Sequence, residues 1–185
     1  MTRCTFRLPI LLLLSCLALS CAQQKDALLL QAPAATVEVY FSPKGGAEAA
    51  IVRAVEKAQN EIRVLAYSYT SEVINDALVA AYRRGVQVTV ILDKSQLSAK
   101  GSKLTSLQQA GVSVFIDAKH AIAHNKVMIL DKKQVLTGSF NFTRAAEERN
   151  AENLLILDNP SLSEKYLQDF ERHLGHANPA VKGDI

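Results

Sequence analysis

From Thr36 onward, apolar and polar positions follow two alternating periods along the chain. Thr36–Phe41 (TVEVYF) alternates with period two and predicts a strand, closed by the turn residues Ser42-Pro43-Lys44-Gly45-Gly46. In Ala47–Ala58 the residues Ile51, Val52, Val55 and Ala58 fall at helical spacing, Asn60 ends the helix, and Glu61–Tyr67 (EIRVLAY) predicts the next strand. The rhythm then repeats. A helix from about Glu72 to Arg84 stops at Gly85 before the strand Val86–Leu92; another from about Ser98 to Ala110 stops at Gly111 before the strand Val112–Ile116. The stops are 25 and 26 residues apart, and each glycine suits the left-handed position that closes a helix. Such strand–helix–strand units imply parallel strands covered by helices.

The last third changes character. His124–Leu130 and Gln134–Thr137 predict two strands joined by Asp131-Lys132-Lys133, and Asn153–Leu157 predicts another after a polar stretch ending at Asn150. Ser161 and Glu164 form a capping box for a final helix whose buried face carries Leu167, Phe170 and Leu174. The expected fold is an α/β three-layer sandwich, with a mixed, mostly parallel sheet and helices on both faces. It occupies residues 36–176, with a flexible tether at 23–35 and a disordered tail at 177–185.

With 49% apolar and 21% charged residues, the 185-residue chain has the composition of a folded domain, which excludes disordered and collagenous classes. Residues 1–22 read as a signal peptide: Arg3 and Arg7, the apolar run Leu8–Leu19, then Ser20-Cys21-Ala22 around a cleavage point. That run is too short to span a bilayer core of ~30 Å comfortably. The expectation is export to the periplasm or medium, ahead of an uncleaved anchor or a lipoprotein attached through Cys21. Cys4, Cys16 and Cys21 all leave with the leader, so no disulfide framework or cysteine metal site is expected. Loss of Arg3 and Arg7 takes the net charge from +3 to about +1, so nucleic acid would have to be bound by a local patch.

Chemistry concentrates in one segment. His124 and Lys126 are i and i+2, on one face of a strand and about 6.6 Å apart along it. Asp131 follows, then Gly138-Ser139-Phe140-Asn141, where Ser139 and Asn141 are again i and i+2. The string His-x-Lys, four residues, Asp, six residues, Gly-Ser-x-Asn would arise by chance on the order of once in 10⁶ sequences. It resembles the HKD signature of the phospholipase D superfamily, whose members cleave or transfer phosphodiesters through a phosphohistidine.

The order of elements, together with Tyr40-Phe41-Ser42-Pro43, Ala66-Tyr67-Ser68-Tyr69-Thr70 and Thr137–Thr143 (TGSFNFT), is similar to the small single-motif bacterial endonucleases of that superfamily. The resemblance implies a phospholipase D-like catalytic domain over residues 36–176. It implies His124 as nucleophile, Lys126 as the fixed cation on the diester, and Asn141 as a neutral donor to its oxygens. Glu152, eleven residues after Asn141, sits where that group carries the acid that orients the histidine, with Ser139 assisting. Asp131 reads as a structural partner. No cofactor is implied, no Asp/Glu/His cluster in the sequence suggests a metal, and activity is expected in chelator.

A phosphoryl transfer also needs an acid for the leaving oxygen. No second His-x-Lys exists, so the second histidine is expected from another copy of the chain, across an isologous homodimer. DNA is the expected substrate. RNA and phospholipid head groups remain alternatives, as does a non-catalytic protein that only holds phosphates. Tyr67 and Tyr69 could stack bases, or simply pack the sheet end. Lys44-Gly45-Gly46 reads as a plain turn before a phosphate cradle. His120 reads as a surface loop residue, and His173 and His176 as cations at a helix C-terminus. Arg144, Glu147, Glu148 and Arg149 read as a salt-bridged surface.

Overall fold

Every strand anticipated above forms, and all the described strands join one sheet. A computed structural model describes residues 36–180; the expected signal peptide and tether lie outside the described residues. In chain order the elements are β1 (Thr36–Ser42), α1 (Ala47–Lys57), β2 (Glu61–Ala66), α2 (Glu72–Arg83) and β3 (Gln87–Asp93). A 3₁₀ turn (Lys94–Leu97), α3 (Leu104–Ala110), β4 (Ser113–Asp117), β5 (Lys126–Leu130) and β6 (Gln134–Gly138) follow. The chain continues through α4 (Arg144–Glu148), β7 (Glu152–Asp158), α5 (Pro160–Leu174) and β8 (Asn178–Pro179).

Across the sheet the order is β1-β7-β6-β5-β2-β3-β4-β8. The repeated strand–helix units do give parallel neighbours, β2 with β3 and β3 with β4. The other five pairings are antiparallel, so the sheet is mixed as expected but not mostly parallel in its pairings. Loop length is the reason. A three-residue connection can only reverse a strand, and β5 itself returns to the free side of β2, opposite in direction.

Helices cover both faces. Val64, Val90, Met128 and Leu136 pack with Ile51, Leu78 and Leu107 of α1, α2 and α3. The alternate residues Leu65, Ile91, Val127, Ile129 and Val135 pack with Phe170 of α5. All five residues of β5 are buried, as a central strand covered on both sides requires.

Local chemistry sets the element ends. Ser71 caps α2 by accepting from Ile74 N–H. Gly111 closes α3 at φ 91. The helix expected from Ser98 is shorter, because the chain turns at Gly101 (φ 82) after the 3₁₀ turn. The cap of α5 is Asn159, whose side chain accepts from Leu162 N–H with Pro160 at the first helical position, and not the Ser161–Glu164 box. The tail expected from residue 177 begins instead with β8, which pairs with β4, and Ala180 N–H donates to Val114 at 2.9 Å.

Between β5 and β6, Asp131 and Lys132 both have positive φ (51 and 55), the pattern of a primed hairpin turn. There the Asp131 carboxylate accepts from the N–H groups of Gln59, Asn60 and Glu61 at 2.9, 2.7 and 3.0 Å, tying the hairpin to the start of β2. Partial burial alone would raise its pKa, but these backbone donors hold it below the ordinary aspartate value. A carboxyl with a lowered folded-state pKa stabilises above its unfolded pKa, and that contribution disappears as pH falls through the folded value. Asp131→Asn should therefore lose about 1–3 kcal/mol in urea denaturation at pH 7. The gap to wild type should close as the pH is taken below about 4.

Candidate active site

One end of the sheet collects the carboxyl ends of β1, β2, β3, β4 and β6 with the amino ends of β5 and β7. Lys126 lies opposite Ala66, Gly138 opposite Leu154, and Ser42 opposite Glu152. The chain leaves β2 toward β3 on one side and returns as β5 on the other. That reversal is the kind of crevice in which α/β sheets bind ligands.

Lys126 is the first residue of β5 and only 8% exposed. Its Nζ donates to the His124 carbonyl at 2.7 Å and lies 5.1 Å from the centre of the Tyr67 ring. Burial lowers its pKa, and the negative charge of Glu152 acts against that shift. His124 itself stands before the strand, not in it, so the same-face placement expected for His124 and Lys126 does not hold. Asn125 accepts from Tyr67 N–H and Ala123 N–H donates to Asp93, both at 2.8 Å, which draws the chain out of the ladder. The imidazole is exposed and rests against Tyr67, ring centroids 4.6 Å apart. Imidazole and ammonium thus share one aromatic platform, the first open to solvent and the second shielded from it.

Gly138 ends β6 at φ 154, where a Cβ would come within 2.2 Å of the Asn153 carbonyl, so only glycine permits this approach. Ser139 Oγ accepts from Asn153 N–H at 3.0 Å, fixing the loop that presents Asn141. The Asn141 Oδ1 atom is buried without a hydrogen-bond partner among the described residues. Glu152 accepts from Asn150 at 3.1 Å and acts electrostatically on Lys126; no hydrogen bond joins it to His124 among the described residues.

Other expectations are corrected. Asp131 lies at the opposite end of β5 from Lys126, remote from the site. Tyr69 is fully buried and bridges to Phe142 in the core, so it offers no face for stacking. Glu147, expected on an ordinary salt-bridged surface, accepts from Gly46 and Glu48 N–H and fills the start of α1 that a phosphate could have used. His120, expected as a surface loop residue, and His173 and His176, expected as cations at a helix C-terminus, converge on Asp117. Nothing in their spacing signals this, because 53 residues part His120 from His173.

Residues 51–174 match the family model described as cardiolipin synthase, PLD-like domain. This chain belongs to the phospholipase D superfamily of phosphodiesterases. Curated relatives within it include a phospholipase D of Rickettsia conorii, 45% identical over 154 residues, which cover 83% of this chain and 77% of that protein. A phospholipase D of Rickettsia typhi is 48% identical over 72% of this chain, and the match spans 66% of that protein's length. Among solved structures, the phospholipase D family member Nuc from Salmonella typhimurium superposes with a TM-score of 0.77 at 34% identity, over 80% of this chain and all of that one.

For this superfamily member, the Glu152 charge raises the Lys126 pKa against the effect of burial. Glu152→Gln should therefore lower that pKa and move the alkaline limb of the kcat/KM profile to lower pH, measured on a chromogenic phosphodiester. An unmoved limb would separate Glu152 from Lys126.

Proposed function

We propose that this chain is an exported, metal-independent DNA endonuclease of low sequence preference, working through a phosphohistidine at a site shared by two protomers. The observation that carries the reading is the pairing of an exposed His124 with a shielded Lys126 on Tyr67. A diester phosphate placed there meets a fixed cation that needs no metal, and an imidazole free to attack phosphorus. In the first step a nitrogen–phosphorus bond forms and the leaving oxygen departs, taking its proton from His124 of the other protomer. In the second, that imidazole takes a proton from water, whose oxygen attacks phosphorus and frees His124. Ser139 and Glu152 frame the pocket, and Asp131 supports it only through the hairpin.

Support for a shared site comes from an apolar face left uncovered among the described residues. Val37, Val39 and Phe41 alternate along β1, with Phe41 65% exposed, and pair beside Leu157, Leu155 and Asn153 of β7. α5 lies over β2, β4, β5 and β6 instead. That face runs up to Ser139 and Glu152, at the same end of the sheet as Lys126, so a two-fold contact there would set the sites of two protomers on one side of the assembly.

Short loops around His124 favour a nucleic-acid diester over a lipid one. The lipid reading has its own support. Relatives carry the names phospholipase D and mitochondrial cardiolipin hydrolase, the latter from Xenopus laevis at 36% identity over 67% of this chain. Ile122, two residues before His124, is also an exposed apolar side chain.

Purified protein should nick supercoiled plasmid without added divalent cation and gain nothing from Mg²⁺. His124→Ala should lose about 10³-fold or more in rate. Nicking retained by that variant would overturn the mechanism; hydrolysis of cardiolipin or phosphatidylcholine liposomes with no nicking would transfer it to lipid. Phe41→Asp should convert dimer to monomer in sedimentation and lose activity in proportion, whereas an active monomer would remove the shared site.

A further inference from the structure

Asp117 ends β4 with its side chain fully buried. One carboxylate oxygen accepts from the N–H groups of Lys119 and His120, at 3.0 and 3.3 Å. The other faces three imidazole nitrogens at once: His120 Nδ1 at 2.8 Å, His173 Nδ1 at 2.7 Å and His176 Nε2 at 3.2 Å. These four atoms lie within 4.8 Å of one another, and the ring centroids are 4.9 to 5.5 Å apart.

A single carboxylate oxygen has about two lone pairs, so three N–H donors oversubscribe it. A cation at the common point resolves the crowding, because each nitrogen then presents a lone pair and the oxygen one more. Three imidazoles with one carboxylate is a nitrogen-rich, thiolate-free set suited to zinc and its transition-metal neighbours, and poorly suited to Mg²⁺ or Ca²⁺. Asp169 Oδ2 lies 3.9 Å from the outer nitrogen of His173, where a carboxylate would favour the tautomer that leaves Nδ1 free to ligate. His120 is 45% exposed, leaving a path for entry, while Lys119 and Arg172 line the outer mouth and Arg172 is neutralised by Asp169.

We propose that Asp117, His120, His173 and His176 form a structural transition-metal site, taking zinc, that fastens the loop leading into His124 to the C-terminal end of α5. His120 and His124 belong to the same short connection between β4 and β5, and Lys94 also holds that loop through the His120 carbonyl. With four protein ligands the site is closed, so its metal takes no part in phosphoryl transfer. The assignment holds whichever diester the protein cleaves.

The test uses the full protein and needs no turnover. After dialysis against ZnCl₂ and removal of excess, metal analysis should find about one zinc per chain. Cobalt in its place should give the intense visible bands of a four-coordinate ion. Zinc in excess should raise the melting temperature by about 5 °C or more, and slow hydrogen exchange in residues 118–125. His120→Ala, at the exposed ligand, should keep the circular dichroism of the fold and lose the cobalt bands. Wild-type protein that folds but retains no metal, with no zinc effect on melting, would overturn the site, as would undiminished cobalt bands in His120→Ala.

Discussion

Because β5 enters the sheet beside β2 in antiparallel register, with Lys126 opposite Ala66, the amino end of one strand meets the carboxyl ends of β2, β3 and β4. Everything at the site follows from that reversal. It buries Lys126 among strands whose neighbouring residues fill the core, and it leaves the preceding residues, His124 included, outside the ladder. It also sends β6 and β7 outward so that Asn141 and Glu152 arrive at the same end. A parallel β5 would place Lys126 at the far end of the sheet, beside Asp131's partners.

The two central residues of the HKD string consequently occupy unlike environments two positions apart. The ammonium is desolvated but satisfied, through one carbonyl and a tyrosine face. A buried cation of this kind exerts its field on a bound phosphate with little screening by water. In the proposed mechanism the imidazole needs the opposite, since it would have to reach phosphorus and exchange protons. Tyr67 serves both, packing against the ring of one and the charge of the other.

Carboxylates hold the loops that frame this end and the hairpin at the other. Asp93 receives Ala123 and Ser95 N–H groups, Asp117 receives Lys119 and His120, Glu147 receives Gly46 and Glu48, and Asp131 receives the start of β2. Each satisfies N–H groups that no strand or helix partner reaches. Charge-assisted bonds of this type are stronger than neutral ones, which suits segments whose backbone must stay in one place.

Much of this was legible in the residues. Alternation at the edge and continuous apolar runs in the centre located seven of the eight strands, because burial of one face imposes period two and burial of both removes it. The HKD string could be found because its groups lie within eighteen residues of one another. The direction of β5 against β2 could not be read, since it depends on where the chain returns and not on the strand's composition. Nor could the burial of Tyr69 against Phe142, or β8, whose two residues are fixed by the edge of β4. The convergence of His120, His173 and His176 on Asp117 lay furthest from view. It joins the end of a strand to the end of the last helix, and only packing of α5 across the sheet brings those ends together.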